Sequence, residues 1–156
     1  MNVVQWQRIL AATDFSPFGD KAVTYAHELA EKFGAELHVL HVVGDITEAS
    51  SKHGIAGSFD ADDVTDERRQ WIGDILGETG SIRRFDAVQI GTDVAEKIAT
   101  YAKTYDISLI VMASHGRSGL AHFWLGSVTE KVIRSVSCPV LVLRPREEEV
   151  AKKQAE

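Results

Sequence analysis

A chain of 156 residues, 44% hydrophobic and 26% charged, has ordinary globular composition and the size of one domain, burying roughly 70% of its unfolded surface without staples. Its net charge of −6 excludes a general nucleic-acid binder, since phosphate contacts need clustered Lys and Arg, and the small basic groups in "DERRQ" and at Arg83-Arg84 read as solvated faces. A single cysteine, Cys138, excludes an internal disulfide framework, while the lack of a basic, apolar leader or of any run near the ~20 apolar residues that cross a bilayer predicts a cytoplasmic protein without a membrane partner.

The first predicted element is the apolar run "RILAATD" (8–14), a buried strand closed by Thr13-Asp14. In "SPFGDKAVTYAHELAEKFG", Ser16 is placed to cap a helix, Pro17 to open it and Gly34 to stop it. Ala22, Val23, Ala26, Leu29, Ala30 and Phe33 recur at helical spacing on its inner face. "ELHVLHVV" (36–43) reads as a second strand. The stretch 44–62 is rich in Gly, Ser, Asp and Ala and has no period; it reads as disorder, with a mobile lid as the alternative.

Val64, Trp71, Ile72, Ile75 and Leu76 form the stripe of a second helix that ends near Gly77 or Gly80. "SIRRFDAVQIG" (81–91) is a third strand with blurred alternation. Asp93 caps a third helix with Val94, Ala95, Ile98, Ala99 and Ala102 facing inward, and "ISLIVMA" (107–113) is a buried fourth strand. Val128, Val132, Ile133 and Val136 mark a fourth helix, and "CPVLVLRP" (138–145) a fifth strand, at whose start Cys138 reads as a buried, inert thiol. Residues 1–146 are thus expected to form one α/β domain, and 147–156 a charged, frayed tail.

Strands alternating with helices imply a doubly wound, Rossmann-like, five-stranded and mainly parallel sheet with helices on both faces. Near-continuous apolar strands agree, because such a sheet is covered on both sides. Ligands bind such sheets beyond the carboxyl ends of the strands, where the strand order reverses. If the first and fourth strands are neighbours there, Thr13-Asp14 and the stretch "ASHGRSGLAHFWLGSVTEK" (113–131) line one crevice.

That stretch offers backbone amides to an anion. A helix starting near Gly126 leaves its first N–H donors unpaired and partly positive, Ser127 adds a hydroxyl, and Gly116 can adopt positive φ and turn its N–H to the same point. Between them "RSGLAHFWL" loops out, with Leu120, Phe123, Trp124 and Leu125 as apolar anchors. There is no GxxxxGK[ST] and no GxGxxG after the first strand. A phosphoacceptor receiver domain is also excluded, because no second acid adjoins Asp14 and the fifth strand ends in Arg144-Pro145.

"RILAATDFSPFGDKAVTYAHELA", "AELHVLHVV" and "SLIVMASHGRSGLAHFWLGSVTEKVIRSVSCPVLVLRP" together resemble the universal stress protein family across nearly the whole core. The pattern G-x2-G-x9-G-[ST] of that family's ATP-binding branch is matched by Ala113-Ser114-His115-Gly116, nine residues, then Gly126-Ser127, with alanine in place of the first glycine. The resemblance implies that Asp14 hydrogen-bonds the ribose, that Ala12 and Thr13 shape the adenine side, and that Val42 meets the adenine edge through its backbone. It implies that Met112 and Ala113 touch the nucleoside, and that Gly116, Gly126, Ser127 and Val128 give N–H groups to the phosphates, with Mg2+ or Mn2+ held on those phosphates. Arg117 is placed either to reach a terminal phosphate or to remain a solvated loop arginine.

His115 reads as turn-facing or solvated, and His122 as exposed. His38 and His41 lack a Cys or carboxylate at ligand spacing, so metal binding by the protein itself is not expected. Phosphoryl transfer needs charge neutralisation and a group that orients the nucleophile, and neither a P-loop lysine nor a base is evident. Catalysis is therefore expected to be absent, or limited to slow hydrolysis or self-phosphorylation at Ser127.

Two functional readings follow. In the first, ATP or a related adenine nucleotide biases the loops at 44–62 and 117–125, and an unidentified protein partner reads that state. In the second, the pocket is empty and the chain is an interaction dimer in stress tolerance, a reading favoured by the extra methyl of Ala113. Either way the apolar "PVLVL" (139–143), as an edge strand, would be closed by pairing with its copy across a two-fold axis, and the resemblance implies a homodimer through the same strand.

Overall fold

The computed structural model describes residues 5–44, 61–77, 80–114 and 125–144. Strands β1 (Arg8–Thr13), β2 (Glu36–Val43), β3 (Arg84–Ile90), β4 (Leu109–Ala113) and β5 (Val140–Leu143) alternate with helices α1 (Pro17–Phe33), α2 (Ala61–Leu76), α3 (Val94–Thr104) and α4 (Ser127–Ser135). All strand pairs are parallel, in the order β3-β2-β1-β4-β5. The expected doubly wound sheet is present, and β1 lies beside β4.

Burial explains why the strands differ in legibility. β1, β2 and β4 are internal and buried almost throughout, whereas the edge strands β3 and β5 are half exposed. Side-chain alternation separates two cores. Ile9, Ala11, Leu37, Val39 and Val111 face α1 and α2, where they meet Val23 and Ile72. Leu10, Leu40, Ile110 and Met112 face α3 and α4, where they meet Ile98, Tyr101 and Val132.

The helix ends follow local chemistry. Ser16 caps α1 by accepting the Gly19 N–H at 3.1 Å, and Pro17 opens the helix. Gly34 closes it at φ +63°, a left-handed turn in which the Ala35 N–H returns to the Ala30 carbonyl at 2.9 Å. Asp93 caps α3 through the Glu96 N–H at 3.1 Å. The second helix begins at Ala61, inside the stretch read as aperiodic.

Four residues counted on helix stripes are exposed instead, among them Trp71 of α2, whose ring meets Phe15 at 5.3 Å. Phe33 lies in the last turn of α1 and meets Trp6 edge-on at 4.9 Å. Val128 and Ile133 flank an α4 that buries only Thr129 and Val132, so a nine-residue helix has a narrower inner stripe than its period suggests. No described helix is long and apolar enough to cross a membrane. Residues 45–60 of the stretch read as aperiodic, and residues 147–156, expected to fray, lie outside the described residues.

Candidate functional site

At the carboxyl ends of β1 and β4, where the strand order reverses, a cleft of about 260 Å3 opens. Its inner wall is aliphatic. Ala12 and Met112 come from the two central strands, Leu40 and Val42 from β2, and Val94 and Ile98 from one face of α3. The rest of its lining is more polar, with Thr13 and Asp14 at the end of β1 and Gly126, Ser127, Val128 and Thr129 at the start of α4. An apolar slot with a few convergent polar groups suits a planar base carrying a hydrophilic tail.

The β1–α1 turn holds Asp14 in place. The Phe15 N–H donates to Thr13 Oγ1 and the Ser16 N–H to Asp14 Oδ1, both at 3.0 Å. Gly19, in the first turn of α1, lines the same cleft, and a Cβ built there would lie 2.7 Å from Asp14 Oδ1 and 2.8 Å from Thr13 Oγ1. Only glycine lets these side chains stand as they do.

On the far side, α4 begins at Gly126, with no side-chain cap. The Gly126 N–H does not face an anion: it donates to the Ser114 carbonyl at 2.7 Å. This corrects the expectation that Gly126 supplies an amide. The first-turn N–H groups of Ser127, Val128 and Thr129 precede the i→i−4 ladder, whose first bond runs from the Glu130 N–H to the Gly126 carbonyl at 2.9 Å. These donors carry the positive end of the helix dipole to the cleft.

Ala113 and Ser114 are tied down beneath it. Thr129 Oγ1 donates to the Ala113 carbonyl at 3.0 Å, and the Ser114 N–H to the Leu143 carbonyl at 2.8 Å. Ala113 lines the cleft, and strand alternation puts its methyl on the side of Val111, opposite Met112. Beside the cleft a shallower groove of about 330 Å3 shares Val94, Ser127 and Val128 with it. There the Lys131 ammonium bonds Asp93 Oδ2 and holds the Asp93 carboxyl below its ordinary range.

Of the residues singled out from sequence, Ala12, Thr13, Asp14, Val42, Met112, Ala113, Gly126, Ser127 and Val128 all line the cleft. Gly116 and Arg117 lie outside the described residues, as do His115, His122, Leu120, Phe123 and Trp124. Gly19, Leu40, Val94, Ile98, Ser114 and Thr129 are further lining residues that sequence reasoning missed as site residues. Leu40 stands two residues before Val42 and Ile98 four after Val94, so strand and helix parity carried a signal for both. Cys138 is half-buried, and burial pushes its thiol up, as fits an inert packing residue.

Fold and site together define a doubly wound α/β protein whose switch-point cleft runs from an aliphatic slot to an uncapped helix N-terminus. The chain belongs to the universal stress protein family, whose sequence model matches residues 5–144. It is 34% identical over 147 residues to universal stress protein YxiE of Bacillus subtilis, covering 89% of this chain and 99% of that protein. The solved structure of MJ0577 from Methanocaldococcus jannaschii, 26% identical, superposes with a TM-score of 0.73 over 92% of this chain and 99% of its own. A universal stress protein from Archaeoglobus fulgidus, solved in complex with dAMP, shares the fold at 19% identity, with a TM-score of 0.60 over 90% and 98% of the two chains.

Proposed function

We propose that this protein binds an adenine nucleotide, ATP in the first instance, in the cleft between β1 and β4, and acts as a nucleotide-gated regulatory homodimer. The observation that carries the reading is one crevice in which an aliphatic slot, the Asp14 carboxylate and the uncapped start of α4 follow one another. Adenine would fill the slot against Ala12, Val42 and Met112, and the ribose hydroxyls would meet Asp14. The phosphates would take the amides of Ser127 and Val128 and the Ser127 hydroxyl. The bound dAMP of the Archaeoglobus fulgidus protein fits the same reading.

Among the described residues no group of three His, Cys, Asp or Glu could hold a metal ion, so Mg2+ or Mn2+ would ride on the phosphates. Among the described residues the cradle consists of neutral donors, which bind a polyphosphate without activating a nucleophile, so binding is the proposed activity. The nucleotide would bias the loops flanking the cleft, and a protein partner would read that state.

The reading is tested with Mg-ATP at ~1,000 times its dissociation constant, where binding adds about 4 kcal/mol of stability and raises the melting temperature. Gly126→Val abolishes this rise, because its side chain blocks close approach to the start of α4. The fold survives, since φ −59° and ψ 151° at Gly126 suit any L residue. A Gly126→Val protein that responds like wild type would overturn the phosphate placement.

A further inference from the structure

One buried titratable side chain stands directly behind the cleft and has no place in the binding scheme above. His41 pairs in register with Thr13, and strand alternation turns it away from its neighbours Leu40 and Val42, toward the α1 side of the sheet. It is 7% exposed. Its Nδ1 lies 2.8 Å from the Thr13 carbonyl oxygen. A carbonyl can only accept, so Nδ1 carries the proton and donates. The ring packs on Phe15 with centroids 4.4 Å apart, and Phe15 also meets Trp71 at 5.3 Å.

These contacts bracket Asp14. On one side of it the Thr13 carbonyl is pinned by His41. On the other, Phe15 has φ +58°, a left-handed conformation that a bulky side chain keeps only where its surroundings over-determine it. His41 touches both neighbours of Asp14 and itself lies outside the cleft lining.

Resting on the nucleotide reading, we propose that His41 is a positioning residue for that site. By holding the Thr13 carbonyl and the Phe15 ring, it sets the turn that aims the Asp14 carboxylate at the ribose. The donated hydrogen bond supplies the aim and the ring contact supplies support.

The test compares ATP with 2′,3′-dideoxy-ATP by calorimetric titration of wild type, His41→Phe and His41→Asn. Phe keeps a ring and loses the donor; Asn keeps a donor at the reach of Nδ1. Wild type favours ATP. His41→Phe loses about tenfold in ATP affinity, the scale of one hydrogen bond, with dideoxy-ATP affinity unchanged, so the ratio collapses, and His41→Asn restores most of it.

General loosening of the fold would weaken both nucleotides alike, and that result, or an unaltered ratio, overturns the proposal. If His41→Phe does not fold, His41→Gln, whose amide reaches past Nδ1, is read the same way. Equal binding of the two nucleotides by wild type overturns the role of Asp14 and His41 and leaves the cleft standing. A wild type that binds neither nucleotide overturns the cleft reading and this inference with it.

Discussion

At the scale of single residues, the cleft depends on what is missing from a side chain as much as on what is present. Gly19 lies in the first turn of α1, where a Cβ would point at Thr13 and Asp14. In Gly19→Ala the new methyl meets Asp14 Oδ1 and Thr13 Oγ1 and comes within 3.3 Å of the Asp14 backbone nitrogen, so the two side chains are displaced and the turn gives by a few tenths of an ångström. The expected outcome is a melting temperature within a few degrees of wild type and an ATP affinity about tenfold lower, because a displaced Asp14 forfeits roughly one hydrogen bond. Calorimetric titration beside a thermal melt checks both, and undiminished affinity would remove Asp14 from the site. Asp14 and Ser127 were legible because a carboxylate ending a strand and a Gly-Ser opening a helix are chemical signals. Gly19 was not, because its role lies in leaving out a Cβ that would stand 2.7 Å from Asp14 Oδ1, a tertiary distance that no local pattern encodes.

At the scale of elements, α3 docks on β2 and β3 through an aromatic cluster at the end of the sheet away from the cleft. Tyr101 of α3 hydrogen-bonds His38 Nδ1 of β2 at 2.9 Å, and the His38 ring stacks on Phe85 of β3 with centroids 4.9 Å apart. Burial pushes the Tyr101 phenol up to about 12, so it stays protonated and donates to His38. Burial also lowers the His38 pKa from 6.5; nearby Glu36 opposes that shift and Arg8 reinforces it. An imidazole that protonates more readily when unfolded makes the unfolded state bind more protons below pH 6.5. Stability is therefore full above that pH and falls as the solution is acidified below it.

His38→Asn keeps an acceptor for Tyr101 and removes the titration, so its melting temperature should fall less than that of wild type between pH 7 and pH 5. Burial raises the pKa values of Asp20 and Asp86, which act in the opposite sense from 3.8 upward. Both proteins share those groups, so the difference between the two melts reports His38 alone, and parallel melts would refute the assignment. The period of α3 announced Ile98 and Ala102 but not Tyr101, whose hydroxyl is buried only because His38 waits across the interface. β3 was blurred for a related reason: an edge strand with Phe85 and Ile90 partly exposed has no clean inner face to display.

At the scale of the whole molecule, the order of elements was readable because apolar runs of strand length alternate with capped helical stripes, and parallel pairing follows from that alternation. The placement of β1 beside β4 was only a condition in the sequence, since strand order depends on which helix packs on which face; the sheet order supplies it. The same order puts β5 at one edge, with one neighbour, β4. Leu141 is 38% exposed there, although it pairs in register with the fully buried Val111. An apolar edge strand left open invites pairing with any other chain, and a two-fold axis along it closes the edge with the chain's own copy. Leu141 would then meet its counterpart and leave solvent. A lysine at 141 puts like charges face to face across the axis while remaining solvated in the free protomer. Leu141→Lys is therefore expected to sediment as a monomer at concentrations where wild type sediments at twice the chain mass, with nucleotide affinity unchanged because the cleft lies on the far side of β4. A wild type that sediments as a monomer, or a variant that remains dimeric, would place the interface elsewhere or remove it.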